Sequence, residues 1–191
     1  MKNKLPVAVI LLCFLSIISV SCKSSKNAKN DAGVNSEFNQ QYIDSRGALT
    51  GTLIDAEYKL FKDQLEKELD ITIPEGKSIL INYRQKSNNC LGVGFKKSDV
   101  IGHIENAKEI SGRLSATYNM ANYFVFTEDA HYADLYSKRV NYKKDPGYFK
   151  DRIFTSNQNC SAFLLVKPNG KFMKYYGEDY FTFVKNFLLK D

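Results

Sequence analysis

The chain has 191 residues, of which 43% are apolar and 25% charged, with a formal net charge of +6. That length and apolar share suit one ordinary domain with a real core. The lysines are spread among acids and form no basic stripe with interleaved stacking aromatics, which argues against a nucleic-acid partner. There are no internal repeats.

Lys2 and Lys4 precede an apolar run over residues 5–20, and Ser21-Cys22 follows. A charged start, an apolar middle and small residues before a junction make a secretory signal peptide. The cysteine at the junction resembles that of a bacterial lipoprotein signal, where it is lipidated and becomes the new N-terminus. The four positions read Ser19-Val20-Ser21-Cys22; Ser21 fits the small position and Ser19 stands where leucine is usual. Ser19-x-Ser21 also satisfies the rule for ordinary signal cleavage, and an uncleaved anchor is a third reading, with an apolar run shorter than the ~20 residues that span a bilayer.

The lipoprotein reading divides the chain into a signal peptide (1–21), lipidated Cys22 with a polar tether (22–44) and a folded domain (45–191). Residues 23–41 have few large apolar side chains and cannot offset their chain entropy by burial. The resemblance implies acyl chains, palmitate among them, on Cys22. Lys23, where Asp would favour retention at the inner membrane, implies a lipid-anchored protein of the cell envelope, on the outer membrane facing the periplasm. Loss of Lys2 and Lys4 brings the formal charge to about +4.

Of four cysteines, Cys13 lies in the signal and Cys22 at the junction, leaving Cys90 and Cys160 in the domain. Two cysteines in an exported domain are a disulfide candidate by compartment.

Along the domain, Ile54, Tyr58, Phe61, Leu65 and Leu69 recur at helical spacing and predict a helix over residues 53–69. Pro74-Glu75-Gly76 breaks the chain. Residues 78–83 (SILINY) read as a buried strand. A second helix starts at Ser98, its expected N-cap, with Val100, Ile104, Ala107, Ile110, Leu114 and Tyr118 on one face. Residues 122–127 (NYFVFT) predict a strand, residues 130–138 a short helix, and Asp145-Pro146-Gly147 a turn. Residues 161–166 (SAFLLV) and 171–176 (KFMKYY) predict a hairpin about Lys167-Pro168-Asn169-Gly170, because Asn-Gly tolerates positive φ. Residues 178–190 close the chain as a helix, with Tyr180, Phe183, Val184, Phe187 and Leu188 as its buried stripe. The order predicts an α/β three-layer sandwich with a mixed parallel/antiparallel central sheet, whose parallel part is a right-handed βαβ crossover.

This layout resembles the thioredoxin fold, most specifically over the strand, Lys-Pro-Asn-Gly turn, strand and helix of residues 161–189. The family's Cys-x-x-Cys motif falls on Ser87-Asn88-Asn89-Cys90, so Ser87 occupies the redox-loop position of the first cysteine. The family's cis-proline falls at about Ser161, where there is none, and Cys160 is brought beside the redox loop. The resemblance implies catalytic roles for Cys90 and Cys160 in thiol–disulfide exchange with envelope protein thiols, without a cofactor. A helix following Cys90 would lower its thiol pKa, although residues 91–97 intervene.

Other readings stand beside this one. The pair is a structural disulfide or two inert thiols in a non-enzymatic binding or scaffold lipoprotein. Alternatively, His103 or His131 joins the cysteines in a metal-handling protein, as in copper-delivery proteins of similar fold; no tight Cys/His spacing marks such a site, and no metal is assigned from the sequence. Asp44, Asp55, Glu105 and Glu109 show no paired-carboxylate arrangement, Gly92-Val93-Gly94 lacks the rest of a phosphate loop, and no Ser-His-Asp order is present. Tyr175-Tyr176 reads as sheet surface.

Overall fold

The structure is a computed structural model that describes residues 46–88, 90 and 92–190; the signal segment, Cys22 and the tether lie outside the described residues. Its elements are β1 (Gly47–Thr52), α1 (Asp55–Leu69), β2 (Ser78–Arg84), α2 (Lys97–Thr117), β3 (Met120–Phe126), α3 (Ala133–Tyr136) and β4 (Tyr142–Lys144). A single π-helical turn (Phe149–Ile153), β5 (Ser161–Val166), β6 (Lys171–Tyr176) and α4 (Phe181–Leu188) follow. The six strands form one mixed sheet in the order β1-β6-β5-β2-β3-β4. β2 and β3 run parallel with α2 as the crossover, β5 lies antiparallel to β2, and β5 and β6 make the expected hairpin.

β2 takes the centre because its side chains are buried on both faces from Ser78 to Tyr83, as a continuous apolar run requires. Ile79, Ile81 and Tyr83 join Leu65 and Leu69 of α1 and Phe149 and Ile153 of the π-helical turn in one core layer. Leu80 faces the other side, with Val184 of α4, Tyr180 and Leu114 of α2. Further along that side, Val100 and Ile104 of α2 pack on Phe124 and Phe126 of β3. Helices therefore cover both faces of the sheet.

α1 begins two residues later than its apolar spacing predicts. Ile54 is its exposed N-cap residue, and the Ile54 N–H donates to Glu57 Oε2 at 3.0 Å. α2 begins at Lys97 with Lys96 at the N-cap, so Ser98 lies inside the first turn and bonds Asp99 rather than capping. Its buried stripe is Val100, Ile104, Ala107 and Ser111. α3 and α4 are shorter than their sequence signals, and Tyr180 precedes α4.

Two edge strands have no alternating pattern to announce them. β1 lies antiparallel on β6 and is exposed over most of its length; β4 has only Tyr142 buried, against Phe124 and Tyr136. At Gly51 of β1 a Cβ would stand 2.7 Å from the tip of the Phe172 ring, so a larger residue there would require that ring to turn aside. The hairpin depends on Gly170, at φ +78° and with Leu53 O 2.2 Å from where a Cβ would be. Tyr175 and Tyr176 are 3% and 6% exposed, which corrects their reading as sheet surface: each packs under a different core layer.

One polar network crosses this apolar interior. Asn82 on β2 donates to Tyr123 O at 3.2 Å and to Ser111 Oγ, and accepts from Tyr180 Oη at 2.7 Å. Asn122 donates to the same Ser111 hydroxyl at 3.1 Å. β2, β3, α2 and the residue that leads into α4 are thus held in register, with the Asn82, Ser111 and Tyr180 groups buried away from water. Asn82→Ala leaves the Tyr180 and Ser111 hydroxyls short of partners and is expected to cost about 1–3 kcal/mol, read as a lower urea midpoint. Burial pushes the Tyr180 phenol up to about 12 from its ordinary 10.0. The folded state then holds a proton that the unfolded state has lost. The stability this proton supplies is full below pH 10 and disappears as the pH rises through about 12. Urea midpoints measured across that range are expected to fall, and less so in Tyr180→Phe.

Candidate functional site

Arg84 pairs with Ser161 in the antiparallel register of β2 and β5, so the residue after Arg84 meets the residue before Ser161. Gln85 N–H donates to Cys160 O at 3.0 Å and continues the ladder one step past both strands. The Gln85 side-chain amide donates to Ser156 O and to Asn159 O, each at 2.8 Å, and Ser87 Oγ donates to Asn157 O at 2.7 Å. Four hydrogen bonds therefore clamp the loop leaving β2 to the loop entering β5. Gln85 and Ser87 are 3% and 7% exposed, so these bonds are shielded from water. Arg84 reinforces the strand ends by donating to Ser161 Oγ.

The clamp brings Cys90 and Cys160 together. They form a disulfide with a Cα–Cα distance of 5.1 Å, well inside the range that a disulfide spans. Both are buried. The Ser87 carbonyl oxygen lies 3.0 Å from Cys90 Sγ and 3.7 Å from Cys160 Sγ. In the disulfide neither sulfur has a proton to donate; after reduction, a Cys90 thiol can donate to that oxygen while a Cys90 thiolate would face its negative end. As the sequence leads one to expect, a loop separates Cys90 from α2, which starts seven residues later, and the Ser87 carbonyl oxygen is a polar group against the Cys90 sulfur.

His131 completes the cluster. One of its ring nitrogens and the two sulfurs all lie within 4.8 Å of one another. His131 comes from the segment between β3 and α3, where Tyr132 holds the left-handed conformation at φ +62°. That conformation is costly for a bulky residue. It is secured by the Tyr132 hydroxyl, which bridges Gly92 O at 3.1 Å and Phe95 O at 3.0 Å and so ties the His131 segment to the loop after Cys90.

Cys90, Cys160 and His131 line a cavity of about 460 Å³, together with Arg84 and the apolar side chains of Val93, Val100, Ile104 and Phe181. His103 lies on the same wall, stacked on Phe95 with ring centroids 5.7 Å apart, outside the Cys–His cluster. Val93 and Phe95 are 50% and 45% exposed and form an apolar lip.

Of the site residues read from the sequence, Cys90 and Cys160 meet, and Ser87 is beside them as a loop anchor whose backbone oxygen, rather than hydroxyl, faces the sulfurs. Glu105 bonds Lys108 and Arg139 and Glu109 pairs with Arg113; neither belongs to a carboxylate pair. Gln85 and Tyr132 were not visible as site residues. The one signal for Gln85 is its position, a polar residue directly after a fully apolar strand. Comparison of the chain with protein-family models, with curated proteins and with solved structures finds no match.

The disulfide closes a sequence separation of 70 residues, which by the chain-entropy model stabilises by about 4 kcal/mol. Because the clamp does not use the sulfurs, reduction is expected to lower the unfolding free energy by roughly that amount while leaving the far-UV circular dichroism spectrum unchanged. Gln85→Ala, which removes two clamp bonds, is expected to make the reduced protein unfold at lower urea than reduced wild type.

Proposed function

We propose that the protein is a cell-envelope lipoprotein carrying a thioredoxin-like domain whose Cys90–Cys160 couple takes part in thiol–disulfide exchange. The observation that carries this reading is a disulfide on a cavity wall, between two loops that hydrogen bonds already hold together. Because the clamp does not use the sulfurs, they stay opposed when the bond opens and can re-form it, which is what an exchanging couple needs. The strand order β3-β2-β5-β6, the parallel crossover through α2 and the antiparallel hairpin support the thioredoxin-like part. The lipoprotein part rests on Lys2, Lys4, the apolar run and Cys22. No helix among the described residues is long and apolar enough to cross a membrane.

In the exchange, a thiolate of an envelope protein attacks Cys90 Sγ and forms a mixed disulfide. The electron pair of the broken bond leaves on Cys160, the sulfur farther from the Ser87 carbonyl. His131 is placed to give that thiolate a proton. A second thiol of the partner then resolves the mixed disulfide, leaving both cysteines reduced and the partner oxidised. The apolar lip at Val93 and Phe95 offers the partner a surface beside the sulfurs.

Equilibration in glutathione buffers with mass-spectrometric readout tests this reading. A potential between about −270 and −120 mV is expected, the range of thiol-exchange proteins. A value below about −300 mV identifies a structural bond and favours a binding or scaffold lipoprotein. Cys160→Ser is expected to trap a mixed disulfide at Cys90 in greater yield than Cys90→Ser traps at Cys160.

A further inference from the structure

The geometry points to a redox-gated site for one soft, closed-shell metal ion, Cu(I), held by Cys90 Sγ, Cys160 Sγ and a ring nitrogen of His131 when the disulfide is open. This inference rests on the proposed reducibility of the couple and adds a ligand that thiol exchange does not require.

Three donor atoms already converge. They lie within 4.8 Å of one another, whereas ligands on a single ion, with metal–sulfur bonds near 2.3 Å and metal–nitrogen bonds near 2.0 Å, stand about 3.6–4.0 Å apart. Closing the difference takes side-chain rotation of about 1 Å, without moving a strand. Once the bond between them is broken, two sulfurs on clamped loops settle at non-bonded contact, which is also the spacing of two thiolates on one ion. The clamp therefore serves the metal state as it serves the disulfide. His131 is held by a different tie from the clamp, the Tyr132 hydroxyl on Gly92 O and Phe95 O, which fixes the third donor to the loop that carries Cys90.

The donor set selects the ion. Two thiolates and one imidazole are soft and borderline ligands, which exclude Mg²⁺ and Ca²⁺. Zn²⁺ takes four ligands, and since no fourth His, Cys, Asp or Glu joins the cluster among the described residues, water would have to complete its shell. Cu(I) is satisfied by three. The gate follows from electron counting. Cys90–Cys160 takes two electrons and two protons from a dithiol, which becomes a disulfide, and yields two thiols. Binding Cu(I) then displaces both thiol protons. In the disulfide form neither sulfur is a thiolate, and only His131 remains to bind.

The test uses the full chain in mild detergent, reduced in denaturant with dithiothreitol and refolded without oxygen, so that it does not depend on how readily the native disulfide opens. Titration with Cu(I) against a chromophoric cuprous chelator is expected to show one equivalent bound by reduced protein and none by oxidised protein. His131→Ala is expected to weaken binding by at least about tenfold, as even outer-shell partners of metal ligands do. His103→Ala, on the same wall but outside the cluster, is expected to leave it unchanged. X-ray absorption of the copper form is expected to show two sulfurs and one nitrogen. Equal binding by oxidised protein, unchanged affinity in a folded His131→Ala variant, or retention of Zn(II) in preference to Cu(I) overturns the inference. A potential in the exchange range with no Cu(I) retention refutes the metal site alone; Cu(I) retention with a potential below about −300 mV refutes the exchange reading alone.

Discussion

The antiparallel pairing of β2 with β5 is the constraint on which the site depends. Its register sets Arg84 opposite Ser161, and the next residue on either side, Gln85 and Cys160, is then forced into contact. Both sulfurs sit one to six residues past that last rung. The rung is secure because β2 and β5 are the two most completely buried strands, with apolar side chains on both faces. A slip of one residue would turn Asn82 out of its network and put Tyr83 into the wrong layer, so the alternation of the core fixes the position of the sulfurs.

Two kinds of polar interaction divide the work around this pairing. The Asn82–Ser111–Tyr180 network locks the helices to the sheet from within. The Gln85 and Ser87 bonds lock the loops at the sheet's end. Tyr83 extends the first kind on the opposite face: its hydroxyl donates to Asp145 Oδ2 at 2.9 Å, and Asp145 also accepts from the amides of Gly147, Phe149 and Lys150. Burial, followed by the neighbouring Asp145 carboxylate, holds the Tyr83 phenol far above its ordinary range. Such satisfied buried groups specify one arrangement more sharply than apolar contact does, and a cavity can then exist beside them without the core collapsing into it.

The cysteine pair meets without Cys-x-x-Cys spacing. A tight dithiol motif brings its sulfurs together through local geometry. Here the same end is reached by two loops distant in sequence, clamped by hydrogen bonds in which the sulfurs take no part. The Ser87 carbonyl oxygen lies closer to Cys90 Sγ than to Cys160 Sγ. His131, next to a residue in a strained conformation, brings a ring nitrogen within 4.8 Å of both sulfurs.

What the sequence determined by itself is the local part of the structure. The apolar run of residues 78–83, the Asn-Gly hairpin and the helical stripes of α1, α2 and α4 are set by short-range patterns, and they fixed an α/β architecture with a mixed sheet. The position of Cys160 just ahead of β5 was legible for the same reason. β1 and β4 were not, because an exposed edge strand is held by pairing with a neighbour and needs no pattern of its own. The tertiary structure alone decided which histidine approaches the sulfurs, that Ser87 contributes its backbone rather than its hydroxyl, and that Gln85 and Tyr132 matter. These depend on loop conformations stabilised by contacts between residues up to 74 positions apart, and neither periodicity nor spacing encodes such contacts.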